Sequence, residues 1–464
     1  MQITVGNAIT IRSPTDEIKK WCKSNLIIPN PDYAKKLRMH FWLGDTPPDL
    51  FLFENHGLDL VLPFGVLRQI LPLCEGCDIN TTFSPPITVD YHSSVPLYDY
   101  QEKAVNAVLE EYYGILQSPA GSGKTQMGIA LITKLNTRTL WLTHTKDLLE
   151  QSKSRAEQYI DKSFIGTITE GKVNIGKGIT FATIQTMCRM DLANYKNFWD
   201  LIIVDECHRV AGSPTAVTQF FKVLNSLSAR NKYGLSATVH RSDGMIRATY
   251  ALLGEVIYAV PDEEVAGKIM KVGINPIGTD TKLTTACLNT DGTLNYARLI
   301  SHLCTDQDRN ELIVDCISEN AGMPSLILSD RLNHLQTLMN MLPPDLRCDA
   351  VMIDGKMTSK TGKAMREQAI EDMRHGRKKY LFATYSLAKE GLDIPCLERL
   401  YMATPQKDYA VITQSIGRIA RTYAGKQSPV CYDFVDDIRY LYKAYKKRCT
   451  TYKKNGCYFI SENQ

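Results

Sequence analysis

From about residue 95 onward, short apolar runs alternate with amphipathic stretches, and the alternation occurs twice. Gly114-Ile115-Leu116, Thr139 to Leu142, Ile179-Thr180-Phe181-Ala182, Leu201-Ile202-Ile203-Val204 and Lys232-Tyr233-Gly234-Leu235 form the first set. Ser325 to Leu328, Ala350 to Ile353, Lys379 to Thr384 and Val430 to Phe434 form the second. Apolar runs this short read as strands buried on both faces, and the intervening stretches, such as Met127 to Ile132, read as helices. Strand and helix in alternation predict parallel sheets flanked by helices, an α/β fold. At 464 residues the chain exceeds one ordinary core, so two or three domains are expected. The expected division is an accessory domain over 1–94, a first lobe over 95–262, and a second lobe over 263–464 that ends in a basic tail. Residues 263–300 are less regular and are expected to bridge the lobes.

The first 94 residues read as a small mixed α/β domain. Thr15 to Ser24 is helix-like, and Asn30-Pro31 precedes a basic helix. Leu50-Phe51-Leu52-Phe53 and Leu58 to Leu62 predict a hairpin turning at Asn55-His56-Gly57, and Pro85-Pro86 marks the exit. Lys35 to Trp42 mixes cations with aromatics. Such mixing either grips phosphates and stacks on unpaired bases or ends an amphipathic helix packed on a core. The tail, Tyr440 to Arg448, predicts a basic, tyrosine-rich helix that contacts nucleic acid or clamps back onto the second lobe.

The chemistry concentrates at the ends of the apolar runs. Ser118-Pro119-Ala120-Gly121-Ser122-Gly123-Lys124-Thr125 lies between a strand and a helix, the order that makes a phosphate cradle. Gly121 and Gly123 free the backbone N–H groups to turn inward; Ser122 lies between them. Lys124 reaches the β- and γ-phosphates and Thr125 holds Mg²⁺. The strict pattern has Gly where this chain has Ser118. About eighty residues on, Leu201 to Val204 is followed by Asp205-Glu206-Cys207-His208. A carboxylate pair at the end of a buried parallel strand is placed to complete an Mg²⁺ site through Asp205 and to polarise water through Glu206. Together the two signals predict NTP hydrolysis.

These motifs resemble those of superfamily-2 helicases and translocases, and further matches follow in order. Gln101 matches the glutamine that reads adenine in that family, where an amide supplies a donor and an acceptor. Thr143, in Thr143-His144-Thr145-Lys146, together with Thr183 and Gln185, in Thr183-Ile184-Gln185-Thr186, match nucleic-acid motifs. Ser236-Ala237-Thr238 matches the motif coupling the ATP state to that track, so Ser236 and Thr238 are expected to couple, with Gln414. Ser325 to Arg331 resembles motif IV. In Ala383 to Pro395 the resemblance implies that Thr384 touches the nucleic-acid backbone and that Gly391 and Asp393 approach the ribose. In Gln414-Ser415-Ile416-Gly417-Arg418-Ile419-Ala420-Arg421, Arg418 and Arg421 lie on one helical face and match arginine fingers. Ser415 and Ala420 depart from the family's Arg and Gly. The N-terminal segment, the form of the Asp205 box and Gly234 to Gly244 narrow the resemblance to phage helicases of the UvsW type and XPB-like translocases. That implies two tandem RecA-like lobes with ATP and Mg²⁺ between them, acting on duplex, forked or branched DNA in a phage or host cell. An RNA helicase, or a motor subunit or scaffold that switches a nuclease or repair partner, remains open.

Composition adds bounds. Hydrophobic residues make 44% and charged residues 22%, as in soluble globular proteins. No apolar run approaches the roughly 20 residues that span a bilayer, so no membrane role is expected. The first residues lack the basic and apolar regions of a signal peptide. The 13 cysteines are odd in number and scattered, which fits a reducing cytoplasm. Cys74 and Cys77 have no second pair to complete a zinc site. Net charge is +4, compatible with nucleic acid. A monomer is expected.

Overall fold

The computed structural model describes residues 1–237, 244–265, 269–355, 357, 359–389 and 392–460. Thr238 and Gly391, both expected site residues, lie outside the described residues. The chain forms two compact units. The first comprises Met1–Pro119 and Gly123–Glu264; the second comprises Val265–Gln464 with Ala120–Ser122.

The first unit opens with a five-stranded sheet. Its spatial order is Glu54–His56, Asp59–Leu62, Ile9–Arg12, Gln2–Val5 and Asp78–Thr81. Ile3, Val5, Ile9, Ile11, Leu60 and Leu62 are buried, the period-2 pattern of a sheet with one covered face. The expected helix is Asp16–Asn25, with the Thr15 hydroxyl capping its N-terminus at Ile18 N. The expected hairpin needs correction. Asp59–Leu62 pairs with Glu54–His56, whereas Asp49–Phe51 pairs with Ile27–Pro29 in a separate two-stranded sheet. Glu54, Asn55 and His56 are all exposed, so this edge strand carries no apolar period to reveal it.

This N-terminal segment does not build a core of its own. Ile3, Ile18, Leu62, Phe64 and Ile70 belong to one buried cluster with Tyr113, Ala211, Val217, Met245, Ala248 and Ala251. A Cβ on Gly65 would fall 2.4 Å from Gly254 N and 2.5 Å from Tyr250 O, so backbone meets backbone there. The Lys35 to Trp42 stretch packs on nothing comparable. Its helix, Pro31–Arg38, buries no residue, and Phe41 and Trp42 are 57% and 87% exposed.

The larger sheet of the first unit has eight strands. In spatial order they are Lys172–Asn174, Ile165–Thr169, Ile179–Thr183, Thr139–Thr143, Leu201–Asp205, Asn231–Ser236, Tyr113–Gln117 and Val256–Ala259. All pairs but the first are parallel. Every residue of Thr139–Thr143, Ile179–Thr183 and Leu201–Asp205 is buried. The register aligns Thr143 with Thr183, Asp205 with Leu235, and Ser236 with Gln117. The polar motif residues therefore come together along one carboxyl edge, where open α/β sheets carry their ligands.

The second unit repeats the architecture with seven parallel strands. Their order is Ala350–Ile353, Tyr380–Thr384, Ser325–Ser329, Arg399–Met402, Val430–Asp436, Gly273–Thr279 and Tyr458–Phe459. Arg399–Met402, Gly273–Thr279 and Tyr458–Phe459 add to the strands expected from sequence. Thr384 sits beside Ser329 at the carboxyl edge. Both units are RecA-like α/β lobes. No helix among the described residues is long and apolar enough to cross a membrane.

Candidate nucleotide and nucleic-acid sites

The phosphate loop runs from the strand Tyr113–Gln117 into the helix Lys124–Leu135. Gly121 and Gly123 have φ of 86° and 81°, the left-handed region that glycine enters without strain. Gly123 is the helix N-cap residue, so the first helical N–H groups open toward the loop. A Cβ at 123 would fall 2.5 Å from Gln101 Nε2. Gln101 is buried, and its Oε1 accepts from Tyr98 N at 3.0 Å, which fixes the amide at the start of its helix. Ser118 is buried, and its N–H donates to Ser236 O at 3.0 Å. The base of the loop is thereby bonded to the end of the Asn231–Ser236 strand.

Asp205 is 5% exposed. Its Oδ2 accepts from Ser152 Oγ at 3.0 Å and its Oδ1 from Glu206 N at 2.9 Å. Burial first, then the neighbouring Glu206 carboxylate, raises its pKa, while Lys124 pulls the other way. Glu206 adopts φ 48° and ψ 50°, a left-handed conformation uncommon for a non-glycine residue. Such strain is retained only where surrounding structure dictates it. Here it turns the chain sharply after the strand and brings Glu206 Oε2 within 3.3 Å of His208 Nδ1. The same Nδ1 lies 3.0 Å from Ser236 Oγ. His208 is thus hydrogen-bonded to Ser236, whose carbonyl accepts from Ser118, and Glu206 stands within ion-pair distance of the same histidine.

The donor set fits a magnesium-bound nucleoside triphosphate. A glycine-built turn at a helix N-terminus, with φ of 86° and 81° at Gly121 and Gly123, accepts phosphate oxygens. The 9%-exposed Lys124 adds a cation, and a carboxylate destabilised by burial and a second acid gains from a metal beside it. Thr125 and Asp205 are the groups that would hold that metal.

The expected nucleic-acid residues differ in how they are held. Thr143 is fully buried, and its hydroxyl donates to Thr145 O at 3.0 Å. Thr183 Oγ1 donates to Thr186 Oγ1 at 3.0 Å, and Gln185 Nε2 donates to His144 O at 2.7 Å. These bonds fix the loops after two neighbouring strands. Thr384 is half-buried at its strand end, 2.9 Å from Ser386 Oγ.

In the second unit, Arg421 forms an ion pair with Asp393. Arg374 holds the same aspartate through Nη2 to Oδ2 at 3.3 Å and Nε to the Asp393 carbonyl at 2.7 Å. Arg418 donates from Nε to Ala388 O and from Nη1 to Leu392 O, both at 2.9 Å. Both arginines occupy acceptors on the segment around Asp393. Gln414 is 8% exposed, and its Oε1 is buried with no hydrogen-bond partner among the described residues. Sequence reasoning assigns no role to His208, Ser152 or Arg374. His208 is visible as a polar residue after the carboxylate pair; the other two carry no local signal.

The first of two parallel-sheet α/β lobes therefore sets an acid pair near the Lys124 loop. Two families match the chain. "Type III restriction enzyme, res subunit" covers residues 94–241, and "Helicase conserved C-terminal domain" covers residues 308–423. The chain is 25% identical over 460 residues to "Probable helicase D10" of Escherichia phage T5, covering 98% of this chain and 95% of that one. It is 27% identical over 356 residues to "DNA 3'-5' translocase XPB2" of Sulfurisphaera tokodaii, covering 70% and 79%. Among solved structures, S. cerevisiae Dbp5 bound to RNA and ADP BeF3 superposes with a TM-score of 0.56 at 16% identity, covering 86% and 94%; this likeness concerns the fold alone. The chain is an ATP-hydrolysing helicase or translocase of superfamily 2.

Proposed function

We propose that this motor acts on DNA and remodels forked or branched duplexes by unwinding, reannealing or branch migration. The observation that carries its coupling is a line of contacts: Glu206 stands 3.3 Å from His208, His208 is hydrogen-bonded to Ser236, and Ser236 O accepts from Ser118 N. It ties the water-activating acid to the phosphate loop and to the strand end that leads into the coupling motif. The relative named a DNA 3'-5' translocase supports DNA as the track.

When bound, magnesium-ATP supplies the phosphoanhydride whose cleavage drives the cycle. Lys124 and the loop N–H groups, with Gly121, Ser122 and Gly123, hold and neutralise the phosphates. Thr125 and Asp205 hold the metal, Gln101 recognises the base, and Gly391 and Asp393 recognise the ribose. Glu206 accepts the proton of the attacking water. Arg418 and Arg421, once released from Leu392, Ala388 and Asp393, balance the charge that develops on the transferred phosphoryl group. Thr143, Thr183, Gln185 and Thr384 hold the nucleic-acid backbone, and Ser236, Thr238 and Gln414 pass the nucleotide state to them. The exposed Phe41 and Trp42, beside Lys35, Lys36 and Arg38, contribute structure selection at the N-terminal segment.

The test is ATPase stimulation by single-stranded, duplex, forked and four-way DNA, and by RNA, measured side by side for the wild type and for a Phe41→Ala/Trp42→Ala variant. Branched DNA should stimulate the wild type most, and the variant should lose that preference. Stronger stimulation by RNA would overturn the DNA reading. An unchanged preference in the variant would return structure selection to the lobes.

A further inference from the structure

The C-terminal helix Arg439–Lys454 divides into two unlike faces. Leu441, Ala444, Arg448, Thr451 and Tyr452 are buried against the second lobe. Arg448 is 1% exposed; its Nε donates to Asp433 Oδ2 at 2.8 Å and its Nη1 to Gln406 O at 3.0 Å. Tyr452 donates to the same carboxylate at 2.7 Å. These bonds are deep and charge-assisted, so the helix is fixed on the lobe. The tail does clamp back.

The opposite face is of one sign. Lys443, Lys446, Lys447, Lys453 and Lys454 are all exposed. No ion pair involves any of the five among the described residues, and no Asp or Glu occurs between Arg439 and Ile460. At about 1.5 Å per residue the lysines form three rungs, roughly 5 Å and then roughly 10 Å apart along a straight rod. Ammonium groups on neighbouring turns repel one another, so a polyanion beside this array is favourable.

The face offers little to a bare base. Tyr442 has the Lys446 ammonium 5.0 Å from its ring centre, and Tyr440 packs 6.0 Å from Tyr296. Lys407 lies 5.5 Å over Tyr296, and Lys454 lies 5.9 Å from Tyr409. The lysines and neighbouring rings engage these tyrosines on one side and hold the charges in place, while Tyr440 and Tyr442 stay 42% and 48% exposed. The helix has already spent its apolar side on the lobe and has nothing to insert into a lipid surface.

Resting on the DNA-motor reading above, we propose that this face is a second nucleic-acid contact, separate from the Thr143, Thr183, Gln185 and Thr384 track, and that its occupant is the phosphate backbone of duplex DNA. A rigid rod whose outward face carries five lysines, with its exposed tyrosines already in contact with a cation or another ring, suits a double helix, whose bases are stacked inside and whose phosphates line both edges of a groove. It would hold the duplex arm while the lobes work on the strand, independently of base sequence.

The experiment uses the full chain with Lys443, Lys446, Lys447, Lys453 and Lys454 all changed to Gln, and a second variant carrying only K446Q and K447Q in case the first folds poorly. Affinity for a DNA duplex, a single strand of equal length, an RNA duplex and anionic phospholipid vesicles is measured from low to physiological salt. The five-site variant should bind duplex DNA at least ten-fold more weakly, with its log–log salt slope reduced by about 0.9 for each phosphate the lysines no longer neutralise. The two-site variant should show a smaller loss in the same direction. Single-strand affinity and ATP hydrolysis without nucleic acid should stay near wild type. Equal losses on single strands and duplex, a loss confined to RNA or to vesicles, or an unchanged salt slope would each overturn the proposal. If no nucleic acid stimulates the wild type, the motor reading itself fails; if DNA stimulates wild type and variant alike with the same duplex affinity, only this surface fails.

Discussion

The two units hold the groups proposed for catalysis in opposite ways. In the first, Asp205 is bonded to Ser152 and to its own chain, and Glu206 reaches Ser236 through His208. These groups are buried or nearly so and already stand in a connected array. In the second, Arg421 and Asp393 are 24% and 30% exposed at the side chain and are paired with each other. Arg418 rests on two backbone carbonyls of the same segment. The first unit is preorganised; the second keeps its cations in interactions that must be exchanged before they can serve a phosphate. A motor needs both kinds, since preorganisation lowers the barrier and an exchangeable interaction makes two states differ in energy.

The preorganised half should fail most completely. Lys124→Ala removes the loop's only side-chain cation, and hydrolysis is expected to fall to background while the melting temperature changes little. A wild-type rate would dismiss the phosphate-loop assignment. Glu206→Gln keeps shape but cannot take a proton; its turnover should fall by up to about 10⁴-fold. It should still bind ATP and remain trapped on nucleic acid, so loss of nucleotide binding would recast Glu206 as a support for the turn.

The exchangeable half should lose rate but keep binding. Arg421→Ala should lower kcat by about 10³-fold, with a milder change in ATP affinity. Arg418→Ala should behave alike. If kcat survives in both, the arginines only brace the segment around Asp393, and the contrast between the units disappears.

Coupling is the next smaller effect. His208→Ala removes the imidazole that stands between Glu206 and Ser236 while leaving both in place. Hydrolysis without nucleic acid should change only a few-fold, and stimulation by nucleic acid should be largely lost. Thr384→Ala should resemble it from the second unit, independently of base sequence, because backbone contacts carry no base information. Equal loss of basal and stimulated rates in His208→Ala would make the histidine structural.

Much of this is legible in the sequence because the motifs sit where the hydrophobic pattern stops. Asp205 and Ser236 end apolar runs, and a parallel register brings such ends together without further information. The hairpin is misread for the converse reason: Glu54, Asn55 and His56 form a strand through backbone pairing alone, with every side chain in water. Nor can the sequence show that Asp393 and Arg421 pair, since the interaction joins residues 28 apart and depends on a turn. The tail is half legible. Its lysines and tyrosines are evident, but which face meets the lobe depends on Asp433, a buried acid in the middle of the preceding strand Val430–Asp436.

The first unit's rigidity also has a cost, and it can be measured at Lys232. This lysine lies in the central strand Asn231–Ser236 and is fully buried. Its Nζ donates to Asn7 O and to Leu224 O, both at 3.0 Å, and stands 4.9 Å over the Phe64 ring, so it ties the N-terminal segment to the motor lobe. Two carbonyls and a ring face favour the ammonium, but no carboxylate joins them, and burial wins: the pKa falls from 10.5 to about 7. A base whose pKa is depressed on folding binds fewer protons folded than unfolded between those two values. Stability from this group therefore rises with pH across that window, and its full penalty applies below about pH 7. Lys232→Met keeps the stem and removes the proton equilibrium. Absolute stability at one pH is a poor readout, because the variant leaves two carbonyls unpaired. The decisive quantity is the difference in unfolding free energy, wild type minus variant, followed from pH 7 to about pH 9.5, below the range where tyrosines titrate. It should climb steadily with pH. Parallel curves would mean that Lys232 keeps its proton throughout, with the two carbonyls and the ring outweighing burial.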